Sequence, residues 1–221
     1  MRIAAVLLLS LPAPHAAAQE SLETKLVVTE GGRETGREEF TLRQGRGRGA
    51  PGTTLTAVAR FPATNPLLRL DGTLERTPEF ALAKFQLDVE GPNGTTVILA
   101  AGSGARLIVR TVAKGSEAGR ELPGGPDVVL LDEGVYSLYT AVADLATPAG
   151  KSLTGVFTRT SRRASFVARR EAGGGGGGGG AGANRVTLSG DINGTLVTDS
   201  KGRLQRLEFP GSGILVTRAQ D

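Results

Sequence analysis

The sequence predicts a mainly β protein: a single curved antiparallel sheet, or an open half-barrel, with one packed amphipathic helix. Three observations carry this. Short segments with period-2 alternation recur between Gly, Asn and Asp turn signals along most of the 221 residues. One segment instead shows helical periodicity. No stretch after the N-terminal leader is apolar and long enough to cross a bilayer as a helix.

The leader comes first. Arg2 supplies a positive start and Ile3–Leu11 a nine-residue apolar run; Pro12 and Pro14 break it, and Ala16-Ala17-Ala18 offers a small-x-small cleavage pattern. Residues 1–18 therefore read as a signal peptide, with a mature start at Gln19 and a periplasmic or secreted destination. No cysteine follows the apolar run, which excludes lipid attachment there.

Residues 19–221 read as a single β-rich domain. "KLVVTEGGRETGREEFTLRQG" holds two strand patterns around Gly31-Gly32, a hairpin signal. "TTLTAVARF" alternates, and "PLLRLDGTLERTPEF" follows with Asp71-Gly72 as an expected turn or bulge. Phe85, Leu87 and Val89 then share a face, Asn93-Gly94 makes a tight turn, and Val97 and Leu99 lead back. Gly102-Ser103-Gly104 turns the chain into "RLIVRTV". In "LLDEGVYSLYTAVADLATPAG", Val135, Leu138, Tyr139, Val142 and Leu145 form one helical stripe. Asp132 is the expected N-cap, Glu133 suits the positive end of the dipole, and Pro148 and Gly150 stop the helix. Tyr136 and Tyr139 are expected to pack in the core and at its rim. After Asn184 come "RVTLSGDINGTLVTD", a turn at Asp199–Gly202, "RLQRLEF" and "GILVTR".

Between these halves lies "EAGGGGGGGGAGANR", with eight consecutive glycines from Gly173 to Gly180. The segment from Asn184 to Asp221 lies below the roughly 40 residues at which a unit folds alone without disulfides or metal. Its strands must pair with the preceding sheet, so residues 172–183 read as a disordered Gly-rich hairpin loop, not a domain hinge. Gly179–Thr187 also matches one calcium β-roll repeat, with Asn184 in the aspartate position. Calcium sits between stacked copies, and there is only one copy here.

Composition excludes whole classes of chemistry. The chain has no cysteine, and its single histidine, His15, lies in the leader. The mature chain thus offers no thiolate, no imidazole base and no His-ligated metal site, and no cofactor is expected. The 26 basic and 22 acidic residues give a mild formal charge of +4. The basic groups at Arg43–Gly49, Arg162-Arg163 and Arg169-Arg170 lack the interleaved aromatics that stack bases, so no nucleic-acid partner is expected. Weak contact with an anionic membrane surface stays open.

Other motifs fail on context. Leu145–Ser152 ends like a Walker A loop, but Leu145 replaces the first glycine and the helix precedes the loop instead of following it. Ser103 sits in "AAGSGAR", where Ala101 breaks the nucleophile-elbow pattern. Asn93-Gly94-Thr95 and Asn193-Gly194-Thr195 are formal sequons that read more simply as turns. Carboxylates could still run glycoside hydrolysis without histidine. The candidates are Asp71 with Glu75, Asp88 with Glu90, and Asp132 with Glu133.

The order "GGRETGREEFTLR", long meandering strands, "VVLLDEGVYSLYTAVADL" and the closing "TLVTDSKGRLQRLEFPGSGILVTR" resembles uncharacterised bacterial periplasmic domains. In shape these are similar to outer-membrane lipoprotein carriers, in which a curved antiparallel sheet wraps a helix. The export signal, the β meander with one amphipathic helix and the missing catalytic residues point to an exported, non-enzymatic envelope protein whose sheet offers a surface or cavity for a hydrophobic or lipid-like ligand or a protein partner. The resemblance implies no particular ligand-binding residues. The alternative expectation is a carboxylate-dependent hydrolase acting on envelope glycans.

Overall fold

A computed structural model describes residues 23–45, 52–171 and 182–219. Fifteen strands form one continuous sheet. In chain order they are β1 (Thr24–Glu30), β2 (Arg33–Gln44), β3 (Thr53–Phe61), β4 (Leu68–Arg76), β5 (Leu82–Gly91), β6 (Gly94–Ser103), β7 (Arg106–Ala113) and β8 (Ser116–Pro123). After a short connection follow β9 (Val128–Leu131), a 3-10 turn (Tyr136–Tyr139) and helix α1 (Thr140–Leu145). Then come β10 (Lys151–Phe157), β11 (Arg162–Arg170), β12 (Asn184–Gly190), β13 (Gly194–Thr198), β14 (Leu204–Phe209) and β15 (Ile214–Arg218).

The sheet is two antiparallel meanders joined through their terminal strands. β1 to β8 run outward in sequence, β15 back to β9 run the other way, and β1 pairs with β15 (Val28 opposite Val216). The edges are β8 and β9, and no ladder joins them. The structure is therefore an open, wrapped sheet and not a closed β-barrel. A single junction, β9 with β10, is parallel. Parallel neighbours need a crossover, and the 3-10 turn and α1 supply it.

Alternation builds the core. In β3 the inward positions Leu55, Ala57 and Ala59 are buried while Thr54, Thr56 and Val58 face outward. Leu70, Phe85, Leu87, Leu196, Leu207 and Val216 extend the same apolar face across both meanders. The helical segment rests on this face, touching β2, β3, β9 and β14 through the 3-10 turn and β11 and β13 through α1. The expected stripe residues Val135, Leu138, Tyr139 and Val142 are buried; so are Ser137, Thr140, Ala141 and Ala143 on the other sides. The wrapped sheet covers the helix from several directions, which a one-sided stripe does not anticipate.

Two local expectations need correction. Asp71-Gly72 is neither turn nor bulge: both sit inside β4, opposite Val58 and Ala57 of β3. Leu70 and Leu74 hold the strand phase on either side, so Gly72 simply occupies an inward position against Val135 and Leu87. The flanking hydrophobic alternation overrides the Asp-Gly signal. Asp132 is not the N-cap, because its carboxylate is taken by Arg159 and the Gly134 N–H.

Several other turn readings match. Gly31 and Gly32 take positive φ in the β1–β2 turn, and Gly94 does so where Pro92-Asn93 links β5 to β6. The carboxylate of Asp199 accepts hydrogen bonds from the backbone of Lys201 and Arg203 and binds the Arg203 guanidinium, closing the β13–β14 turn. β11 and β12, which flank the glycine run, pair antiparallel with Arg170 opposite Val186. The expected loop at 172–183 lies largely outside the described residues, as do residues 1–22 with the expected signal peptide.

Candidate functional site

The helical segment is clamped at both ends by charged groups of the sheet. Its first free N–H groups need acceptors, and these come from Glu38 of β2. Oε2 of Glu38 accepts the Tyr136 N–H at 2.8 Å and Oε1 accepts the Ser137 N–H at 3.0 Å. At the other end the Arg170 guanidinium donates to the Ala143 carbonyl at 3.0 Å. A carboxyl at the N-terminus and a cation at the C-terminus follow the sense of the helix dipole. Arg76, buried at the end of β4, adds an ion pair to Asp144.

Asp132 is occupied otherwise. Its two oxygens grip Arg159 at 2.7 and 2.8 Å, and Oδ1 also accepts the Gly134 N–H at 2.9 Å. The chain bends at Gly134 before the 3-10 turn begins, so a carboxylate from across the sheet, and not the local one, reaches the helix start.

Above this clamp opens a cleft of about 470 Å³. Both tyrosines of the protein line it, with Phe157, Phe209, Ile192 and Ile214. Tyr139 packs obliquely on Phe209, with ring centres 5.3 Å apart. Arg162 begins β11 directly opposite Phe157 and lays its guanidinium 3.7 Å over the Phe157 ring. Its Nη2 reaches Glu133 at 3.2 Å. Asp132, Glu133 and Asp191 are the carboxylates of the lining. Asp191 is bound at its Oδ2 by the Ser165 N–H at 2.8 Å.

Electrostatics follows from this crowding. Burial pushes the Glu38 carboxyl up to about 7, the Ser137 and Tyr136 hydrogen bonds pull against it, and the charge of Asp132 adds to the rise. Burial likewise raises Tyr136 to about 12, helped by the charges of Glu38 and Asp132. Burial also raises Tyr139, and there the Arg162 charge opposes the rise. Both phenols therefore stay protonated and available as donors at neutral pH.

The hydrolase candidates are distributed differently from their sequence pairing. Asp71 and Asp88 come from separate pairs, yet they lie opposite each other on the outward face of β4 and β5. A shallow groove of about 400 Å³ runs over them. Arg69 holds Asp71 at 2.9 Å, and Gln86 donates to Asp88 at 3.0 Å. Glu75 and Glu90 also face outward from their strands. Asp132 and Glu133 do reach the aromatic cleft, each already paired with an arginine. Ser103 is the exposed last residue of β6, paired with Arg106, so the turn expected at Gly102–Gly104 falls at Gly104-Ala105 instead. Lys151 opens β10 and pairs with Asp127 at 2.6 Å. Asn184 opens β12, and Asn193 bonds the Gly190 backbone as a turn residue.

Sequence reasoning missed Glu38, and it missed Arg162 and Phe157 as a stacked pair. The signal for Glu38 was present: it shares the strand phase of Phe40, which period 2 sends inward. Phe157 and Arg162 fall at a hairpin end, where spacing alone does not place the rings.

No family model matches this chain, and no curated protein matches it. Among solved structures it is similar to a crystal structure of a DUF1089 family protein from Pseudomonas aeruginosa. The two are 13% identical, with a TM-score of 0.44, over 94% of this chain and 98% of that one.

Proposed function

We propose that the protein is an exported, non-enzymatic component of the bacterial cell envelope that binds a hydrophobic or lipid-like ligand in the cleft above the helix. One observation carries this reading. The chain has nine aromatic residues, and four of them, including both tyrosines, converge on one opening of about 470 Å³. That volume falls in the ~300–1,000 Å³ range of small-ligand sites, and such sites are mostly apolar with a few polar groups. The wrapped sheet around a helix supports the likeness to lipoprotein carriers drawn from the order of the segments.

The protein itself supplies the test. It has no tryptophan, and its two tyrosines both line the cleft, so tyrosine emission reports occupancy. Titration with decyl maltoside below its micellar range is expected to change that emission saturably. Ile214→Trp, which fills the cleft, is expected to abolish the binding, read here by calorimetry because the new indole masks the tyrosine emission. An emission that stays flat, or binding that survives the filled cleft, would overturn the reading. Expression of the full chain in a bacterium with N-terminal sequencing checks the export claim, with Gln19 expected as the first residue.

The second reading is a carboxylate-dependent hydrolase of envelope glycans, and one observation favours it. Asp132, Glu133 and Asp191 share the cleft lining. Their engagement with Arg159, Arg162 and the Ser165 backbone weighs against it, because a general acid or base needs a free oxygen towards substrate. Release of sugar from peptidoglycan fragments, abolished by Glu133→Gln, would establish this reading instead.

A further inference from the structure

The polar lining of the cleft is unbalanced. Three carboxylates face one arginine, Arg162. Arg159 neutralises Asp132 from behind, leaving Glu133 and Asp191 for the single cation on the cleft side. The charges that raise the Tyr136 phenol come from Glu38, Asp132, Glu30 and Glu133, all of them acidic. Aromatic faces combined with nearby carboxylates attract cations, because the ring face and the carboxylate are both negative. The protein already displays that preference, since its own guanidinium lies on Phe157 and is held there by Glu133.

Building on the proposed ligand-binding role, we infer that the cleft selects an amphiphile with a cationic head group, an ammonium or guanidinium on an apolar tail. Arg162 stands in for that head in the free protein. The tail packs on Tyr139, Phe209 and Ile214, and the head takes the ring face and carboxylate that Arg162 covers. Arg162 is roughly half exposed and opens a strand at the cleft mouth, so it can swing out without unpacking the core.

Three probes with one tail separate the possibilities: decyltrimethylammonium, decyl phosphate and decyl maltoside, each titrated below its micellar range and read by tyrosine emission and calorimetry. The cationic probe is expected to bind at least about threefold tighter than the neutral one, and the anionic probe weaker than both. Arg162→Ala removes the internal competitor and is expected to tighten the cationic probe by a further threefold or so, and to change the neutral probe by less than that. Arg162→Lys keeps a cation and is expected to behave like the parent. A tightest-binding phosphate, or a cationic probe weakened by Arg162→Ala, would overturn the inference and make Arg162 a receptor for an anionic head. If the neutral probe binds in the cleft as well as the cationic one, the charge inference alone fails. If none of the three binds, the hydrophobic-ligand reading fails with it.

Discussion

Glu38 concentrates most of the unusual chemistry of the molecule in one side chain. It is fully buried, bears on the start of the helical segment, and has a carboxyl raised from 4.5 to about 7. A carboxyl with a raised folded value binds its proton more tightly in the native state than in the unfolded one. Its contribution to stability is thus fully present below about pH 4.5 and is lost as the pH rises through about 7. Glu38→Gln cannot ionise, so the fall in stability across that window should flatten by roughly 1 kcal/mol per pH unit. Denaturant unfolding of both proteins between pH 4.5 and 8 checks this, and parallel profiles would count against it. Glutamine offers one acceptor oxygen for two N–H groups, so the variant should be the less stable protein at the acid end.

At the scale of elements, two inward glycines make opposite predictions. Gly72 in β4 has room, because an added Cβ would meet Leu87 and Val135 at 3.6 and 3.8 Å, ordinary contact. Gly72→Ala should be neutral or stabilise by up to about 1 kcal/mol through a less flexible unfolded chain. Gly155 in β10 has none, since the same atom would lie 2.8 Å from Leu131 and 3.3 Å from Phe166. Gly155→Ala should therefore cost about 1–3 kcal/mol through overpacking. Thermal unfolding of the two variants side by side decides the matter, and equal effects would refute the packing argument. The helical segment follows the same logic. Its periodicity was readable, but its cap was not, because Glu38 lies 98 residues before Tyr136 and the ladder order brings them together.

At the scale of the whole molecule, the chain leaves the sheet at Arg170 and returns beside it, so the glycine run connects neighbouring strands of one ladder. Shortening Gly173–Gly180 to two or three residues should preserve cooperative folding and raise stability by about 1 kcal/mol or less, the saving in loop-closure entropy. A single calorimetric transition is expected, and two separate transitions would show that the run divides independent units. Among the described residues, no helix is long and apolar enough to cross a membrane.

What the sequence determined by itself was local: the strand phases, most of the turns and the helical stripe, besides a composition without cysteine and with no histidine beyond His15. Each depends on neighbours within about ten residues, which is the range over which periodicity and turn chemistry act. The tertiary structure alone decided the rest. The ladder order set Glu38 under the helix, placed Asp71 against Asp88, and gathered Tyr139, Phe157, Phe209 and Arg162 from four separate segments into one cleft. Asp71-Gly72 shows the boundary between the two. The pair carries a turn signal, yet it lies mid-strand because Leu70 and Leu74 are buried on either side. Burying those two leucines outweighs a local preference that a flat, solvated chain would have obeyed.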